Sequence, residues 1–113
     1  MVIEARLMGR TLLLTVREPR IDAASAIRFK DEMRRLTEGH AGRVVLDLGA
    51  VAFLDSSGLG AVVFAMKQLG SRRLELAALT PTVAKVFRLT RMDSVFTIHA
   101  RIEDAVSDLA AAS

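Results

Sequence analysis

The 113-residue chain has no cysteine, no tryptophan and no tyrosine, and only two prolines. Without cysteine there can be no disulfide, thiolate metal site or thiol nucleophile, which fits a cytoplasmic protein. Five phenylalanines are the whole aromatic complement, too few to offer nucleic-acid bases a stacking platform. His40 and His99 stand in a loop and at a strand end. No His, Asp or Glu cluster surrounds them in the sequence, so both read as surface residues and no metal or cofactor is expected. No apolar run approaches the roughly 20 residues of a membrane span. The start, Met1-Val2-Ile3-Glu4, carries an early acid and no basic region before an apolar block, so it does not read as a secretory signal.

What the chain does have is apolar bulk. Hydrophobic residues make up 51% of it, enough for one domain spanning residues 1–113 with one substantial core. The net charge is +3, and thirteen of the sixteen basic residues are arginine. These bases are scattered beside acids: Asp31-Glu32 with Arg34-Arg35, Arg91 before Asp93, Arg101 before Glu103-Asp104. That pattern describes a solvated basic surface, and no nucleic-acid partner is expected.

Along the chain, Val2 to Met8 and Thr11 to Val16 are two apolar-rich runs around Gly9-Arg10, the pattern of a hairpin. Glu18-Pro19-Arg20 is a break, because Pro19 lacks a backbone donor. Ile21 to Ser25 opens a helix to about Glu38, with Asp22 as its N-cap and Ala26, Phe29, Met33 and Leu36 on the buried face. Gly39-His40-Ala41-Gly42 stops it. Val44 to Leu48 is apolar on both faces, as in a strand covered on both sides. A second helix follows Gly60, with Leu59, Val62, Val63, Met66 and Leu69 in one stripe. Ser71-Arg72-Arg73 reads as a turn and Leu74 to Leu79 as a strand. Thr80-Pro81 starts a third helix with a hydroxyl cap and proline in its first turn; Val83 and Phe87 are its buried side, joined by Val86 and Leu89. Val95 to His99 is a last strand. Ile102, Ala105, Val106 and Leu109 mark a final helix, with Ala110 to Ser113 as a frayed end. The order β-β-α-β-α-β-α-β-α implies an α/β fold: a mixed, mainly parallel sheet with helices packed against it.

The polar stretch Asp55-Ser56-Ser57-Gly58-Leu59-Gly60 lies between the central strand and its helix. Several chemistries fail there on spacing. A nucleophile elbow needs glycine on both sides of its serine at two residues' distance, and neither Ser56 nor Ser57 has that. A dinucleotide fingerprint would need glycine where Val63 stands, and no Gly-Lys pair forms a P-loop. A phosphoacceptor role for Asp55 would need an acidic pair after the first strand, where the chain reads Leu7-Met8-Gly9-Arg10. Two readings stay open on the residues alone. In the first, Asp55, Ser56 and Ser57 serve only to cap the helix. Alternatively, Gly58 and Gly60 bare the backbone so that another molecule approaches the positive helix end.

Phe53 to Gly60, following Val45-Leu46-Asp47-Leu48, resembles the signature of the STAS domain, and specifically of anti-sigma factor antagonists. Ile21 to Ala26 is similar to that family's first helix start. Leu76 to Thr90 and the Val95-Phe96 strand are similar to its later half. The resemblance implies a single STAS domain that acts as a switch and not as an enzyme. A serine kinase that doubles as an anti-sigma factor would phosphorylate Ser57 and release it; the unmodified protein would bind that kinase, and a phosphatase would reset the switch. Asp22, Asp55, Ser56, Ser57, Gly58, Leu59 and Gly60 are the expected partner-binding residues. A second implied class is a docking subunit of a transport assembly of the lipid ABC type, or of a signalling assembly, never phosphorylated. A third, nucleotide binding at the Ser-Gly-Leu-Gly turn, lacks basic or aromatic lining. The chain departs from the family in two ways: Pro19 stands where a glycine turn is common, and the charge balance is basic where many antagonists are acidic.

Overall fold

The computed structural model describes residues 1–70 and 74–106. Strands β1 (Ile3–Met8) and β2 (Thr11–Val16) form the expected hairpin. Its turn places Gly9 at φ +62°, a left-handed conformation that glycine enters without steric cost. The chain then runs through β3 (Arg20–Ile21), α1 (Ala26–Thr37), β4 (Val44–Asp47), β5 (Phe53–Leu54), α2 (Ser56–Gln68), β6 (Leu74–Ala77), α3 (Pro81–Leu89), a 3₁₀ turn (Met92–Ser94) and β7 (Thr97–His99). Residues 102–106 are helical. The expected turn at Ser71 to Arg73, the Leu109 position and the frayed end at Ala110 to Ser113 lie outside the described residues.

One five-stranded sheet has the order β1-β2-β4-β6-β7. Only the hairpin is antiparallel; β2, β4, β6 and β7 run parallel. The sheet is therefore mixed and mainly parallel, as the strand–helix alternation requires. Alternate residues of each strand face opposite sides. Leu12, Leu14, Val44, Leu46, Leu74 and Leu76 meet Phe29 and Met33 of α1, Val62 of α2, and Val83 and Phe87 of α3 in the main core. Leu13, Val45 and Ala77 face the other way, against Ala105 and Ile102. The continuous apolar run at β4 follows from that double cover.

Several local expectations shift. The first helix starts at Ala26, four residues after Asp22, and its N-cap is Ser25. Of the expected α2 stripe, Val62 and Leu69 are buried and Leu59, Val63 and Met66 only partly covered, while Gly58, Ala61 and Ala65 join the buried side. Small residues there let α2 lie close to its neighbours, so Leu59, Val63 and Met66 are turned to the flanks. Leu89 is 71% exposed and leaves the α3 core face. Thr80 sits at the N-cap of α3 without capping it; its hydroxyl donates to the Val51 carbonyl at 2.8 Å. The last strand starts at Thr97, since Met92 to Ser94 wind into the 3₁₀ turn.

The second face holds a charged cluster that corrects the reading of His99. Arg43 forks onto buried Glu75, with Nε 2.6 Å from Oε2 and Nη2 2.7 Å from Oε1. Arg43 also donates to the Ala105 carbonyl at 3.0 Å, and His99 Nε2 lies 2.8 Å from Glu75 Oε1. Parallel pairing brings these distant positions together: Val44 opposes Leu74, and Ala77 opposes His99. The Arg43 guanidinium holds the Glu75 carboxyl below its ordinary 4.5, against the opposing pull of burial, with His99 helping. A lowered carboxyl pKa adds stability that is complete above the unfolded value and fades as pH falls through the folded one. Glu75→Gln should therefore cost about 1.5–3 kcal/mol at neutral pH and flatten the loss of stability below pH 4.5. Urea unfolding of both proteins across acidic pH checks this; equal losses on acidification would contradict it.

Candidate functional site at the head of the second helix

Two segments meet beside the end of the central strand. After β2, Pro19 turns the chain, and its carbonyl accepts from the Ala52 and Phe53 amides at 2.8 and 3.1 Å. β3 and β5 then pair in parallel, Arg20 with Phe53 and Ile21 with Leu54, as a separate two-stranded sheet. Pro19 thus ends one ladder and anchors another through its acceptor. This places the residue 22–25 turn against the start of α2.

Two aspartates fix that junction. Asp55 is the N-cap of α2, and its Oδ1 accepts from the Gly58 amide at 2.8 Å. Its Oδ2 accepts from the Ala23 amide at 3.2 Å, across to the other segment. Asp22 organises its own turn: Oδ1 accepts from the Ala24 and Ser25 amides and the Ser25 hydroxyl at 3.1–3.2 Å. Its Oδ2 accepts from Arg20 Nε at 3.1 Å. Arg20 and Ser25 hold the Asp22 carboxyl below the usual range, Arg20 most strongly. Asp22 is therefore a turn former; it satisfies free amides ahead of α1 without being its N-cap.

The remaining sequence-picked residues divide by exposure. Ser56, Ser57 and Gly60 are exposed, Asp22, Asp55 and Leu59 half-buried, and Gly58 buried. Among the described residues, nothing takes up the Ser57 hydroxyl by a hydrogen bond, so Asp55 alone of the three polar side chains caps the helix. The glycines also differ. A Cβ at Gly58 would collide with the Ile21 carbonyl, while one at Gly60 would meet only open space. Gly58 is thus required by the approach of β3, and only Gly60 bares backbone to the outside.

Sequence reasoning missed the cations around this surface. Arg20 lies 4.3 Å over the ring of Phe53, and Lys30 of α1 lies 5.0 Å over that of Phe64 on α2. Phe53 and Phe64 are 37% and 45% exposed. The available signal was weak: Ser57, Gly60 and Phe64 fall on one stripe of α2, but nothing in sequence places Lys30 beside it.

The STAS domain family matches residues 2–105. This chain belongs to the STAS domain family. BtrV of Bordetella bronchiseptica, which carries the name of an anti-sigma factor antagonist, is 32% identical over 80 residues, 69% of each chain. The fold superposes on an anti-sigma factor antagonist from Mycobacterium paratuberculosis with TM-score 0.83 and 22% identity, covering 95% of this chain and 92% of the other. Against SpoIIAA in its unphosphorylated form, the TM-score is 0.77 at 21% identity, covering 97% of each chain. Against Bacillus SpoIIAA in its phosphorylated form it is 0.70 at 20% identity, covering 96% and 99%. The 32% identity with BtrV supports an antagonist role in general terms, and the solved structures show the fold. No helix among the described residues is long and apolar enough to cross a membrane.

The two glycines give opposite expectations. Gly58→Ala should destabilise by about 1–3 kcal/mol, because the Ile21 backbone must shift. Gly60→Ala should stabilise by about 0.5–1 kcal/mol, because it gains helix propensity in open space. Melting of the two variants decides this; a similar fall in both would contradict the assignment.

Proposed function

We propose that this STAS domain is a cytoplasmic anti-sigma factor antagonist in a partner-switching pathway. Unmodified, it binds a serine kinase that serves as the anti-sigma factor. That kinase phosphorylates Ser57 and the complex separates; a phosphatase restores the hydroxyl. The protein itself is a binding module and not an enzyme. The observation that carries the reading is exposed Ser57, whose hydroxyl has no hydrogen-bond partner among the described residues, in the first turn of a helix whose cap is already supplied by Asp55.

Charge explains why one modification can act on binding and spare the fold. A phosphoryl group adds roughly −1.5 to −2 charges. At the positive end of α2 its own fold tolerates that charge. Toward a partner shaped for a neutral hydroxyl, and beside Asp55, it is repulsive. Like-charge contact at an interface costs several kcal/mol; about 3–4 kcal/mol is two to three decades of affinity. Ser56, Ser57 and Gly60 form the partner-facing surface, with Asp22 and Asp55 holding its shape and Gly58 and Leu59 seating it from beneath. BtrV and SpoIIAA supply the analogy for the partner class through the role their names carry.

Incubation with a kinase-type anti-sigma factor and ATP tests the proposal. Phosphate should map to Ser57, and Ser57→Ala should stay bound. Ser57→Asp should bind about a hundredfold more weakly while melting within a few degrees of the parent protein. No phosphate, together with stable binding to an ATPase or membrane subunit, would replace switching by the docking role.

A further inference from the structure

β1 closes one end of the five-stranded sheet. Glu4, Ala5, Arg6 and Leu7 on it are exposed, Leu7 by 64%. The Arg17 amide donates to the Val2 carbonyl, one step beyond the Ile3–Val16 pair. Hydrogen-bonded and non-hydrogen-bonded pairs alternate in an antiparallel ladder. Residues 2, 4, 6 and 8 therefore turn their backbone groups toward β2, and Ile3, Ala5 and Leu7 turn theirs outward. Natural sheets blunt such an edge with proline, a bulge or charged side chains. β1 has no proline, its register has no bulge, and its two charges have opposite signs.

Those charges are placed symmetrically about Ala5. A second copy laid antiparallel along this edge, with a two-fold axis at Ala5, sets Ile3 opposite Leu7 of that copy and Ala5 opposite its counterpart. Their outward N–H and C=O groups then find partners. Glu4 falls opposite Arg6 of the second copy, and Arg6 opposite its Glu4. Both are non-hydrogen-bonded pairs, where side chains stand closest and opposite charges attract. We propose that β1 is a self-pairing edge, through which two copies of this chain join their sheets in a two-fold symmetric dimer. The charge order that would repel a strand of another sequence is complementary to itself. One strand edge buries little area, so the dimer is weak and concentration-dependent. Ser57 heads α2, which packs on α1, β3 and β5, so the proposal stands apart from the switching role.

Among the described residues, Glu4 is held only by Arg17, at 3.3 Å on the exposed surface. Such pairs are weak, which leaves Glu4 free to engage the second copy. Sedimentation equilibrium of the full chain should show mass rising from one chain to two with concentration. Arg6→Glu sets carboxylates against each other on both sides of the axis and should raise the dimer dissociation constant roughly tenfold or more. Glu4→Arg should do the same with guanidinium groups. An equimolar mixture of the two variants restores opposite charges and should pair again. Both side chains are exposed, so each variant should melt near the parent. A single-chain mass at every concentration overturns the proposal. So does a dimer that Arg6→Glu leaves unchanged, which would place the contact on another surface.

Discussion

The Asp55 carboxylate has two oxygens, and each is taken by a backbone amide of a different segment. One oxygen closes the first turn of α2 through Gly58; the other reaches across to Ala23. A single side chain thus fixes both the helix start and the turn beside it. Free amides at a helix head must be satisfied by something. Because Asp55 does this, no described residue needs the hydroxyl of Ser57, which stands exposed. Asp22 repeats the arrangement within its own turn, with Arg20 balancing its charge.

This small site rests on a rigid frame. β4 is buried on both faces, and the helices on one side and residues 102–106 on the other fix its position. Gly58 transmits that rigidity, since its missing side chain lets the Ile21 backbone press against α2. On the far face, Glu75 ties Arg43 and His99 into one charged cluster, with Arg43 holding the Ala105 carbonyl. A surface that changes charge at one point can change its partners without changing this frame.

The sequence made the large features legible because they depend on periodicity. Val44 to Leu48 announced a doubly covered strand, and the hairpin, α2 and the Thr80-Pro81 helix start all lie where their patterns put them. β3 and β5 escaped because two-residue strands have no period to detect. Asp22 was misplaced as a helix cap because capping and turn formation use the same acceptor chemistry, and only the geometry of residues 22–25 separates them. The α2 stripe holds at Val62 and Leu69, which are buried, and at Leu59, Val63 and Met66, which pack partly against the core; the pattern did not single out buried Ala61 and Ala65, because small residues carry little apolar signal. Glu75 and His99 looked unrelated because the parallel register that joins them is a tertiary fact. The Asp-Ser-Ser-Gly-Leu-Gly stretch stood out by its residue types, yet its two glycines proved to have different reasons.

Amide hydrogen exchange on the unmodified protein and its Ser57-phosphorylated form, compared residue by residue, tests the central claim most directly. The account predicts unchanged protection throughout β2, β4 and β6, and continued protection of the Ala23 and Gly58 amides, because Asp55 still holds both. Loss of protection spreading through those strands on phosphorylation would contradict it, since the modification would then be acting on the fold.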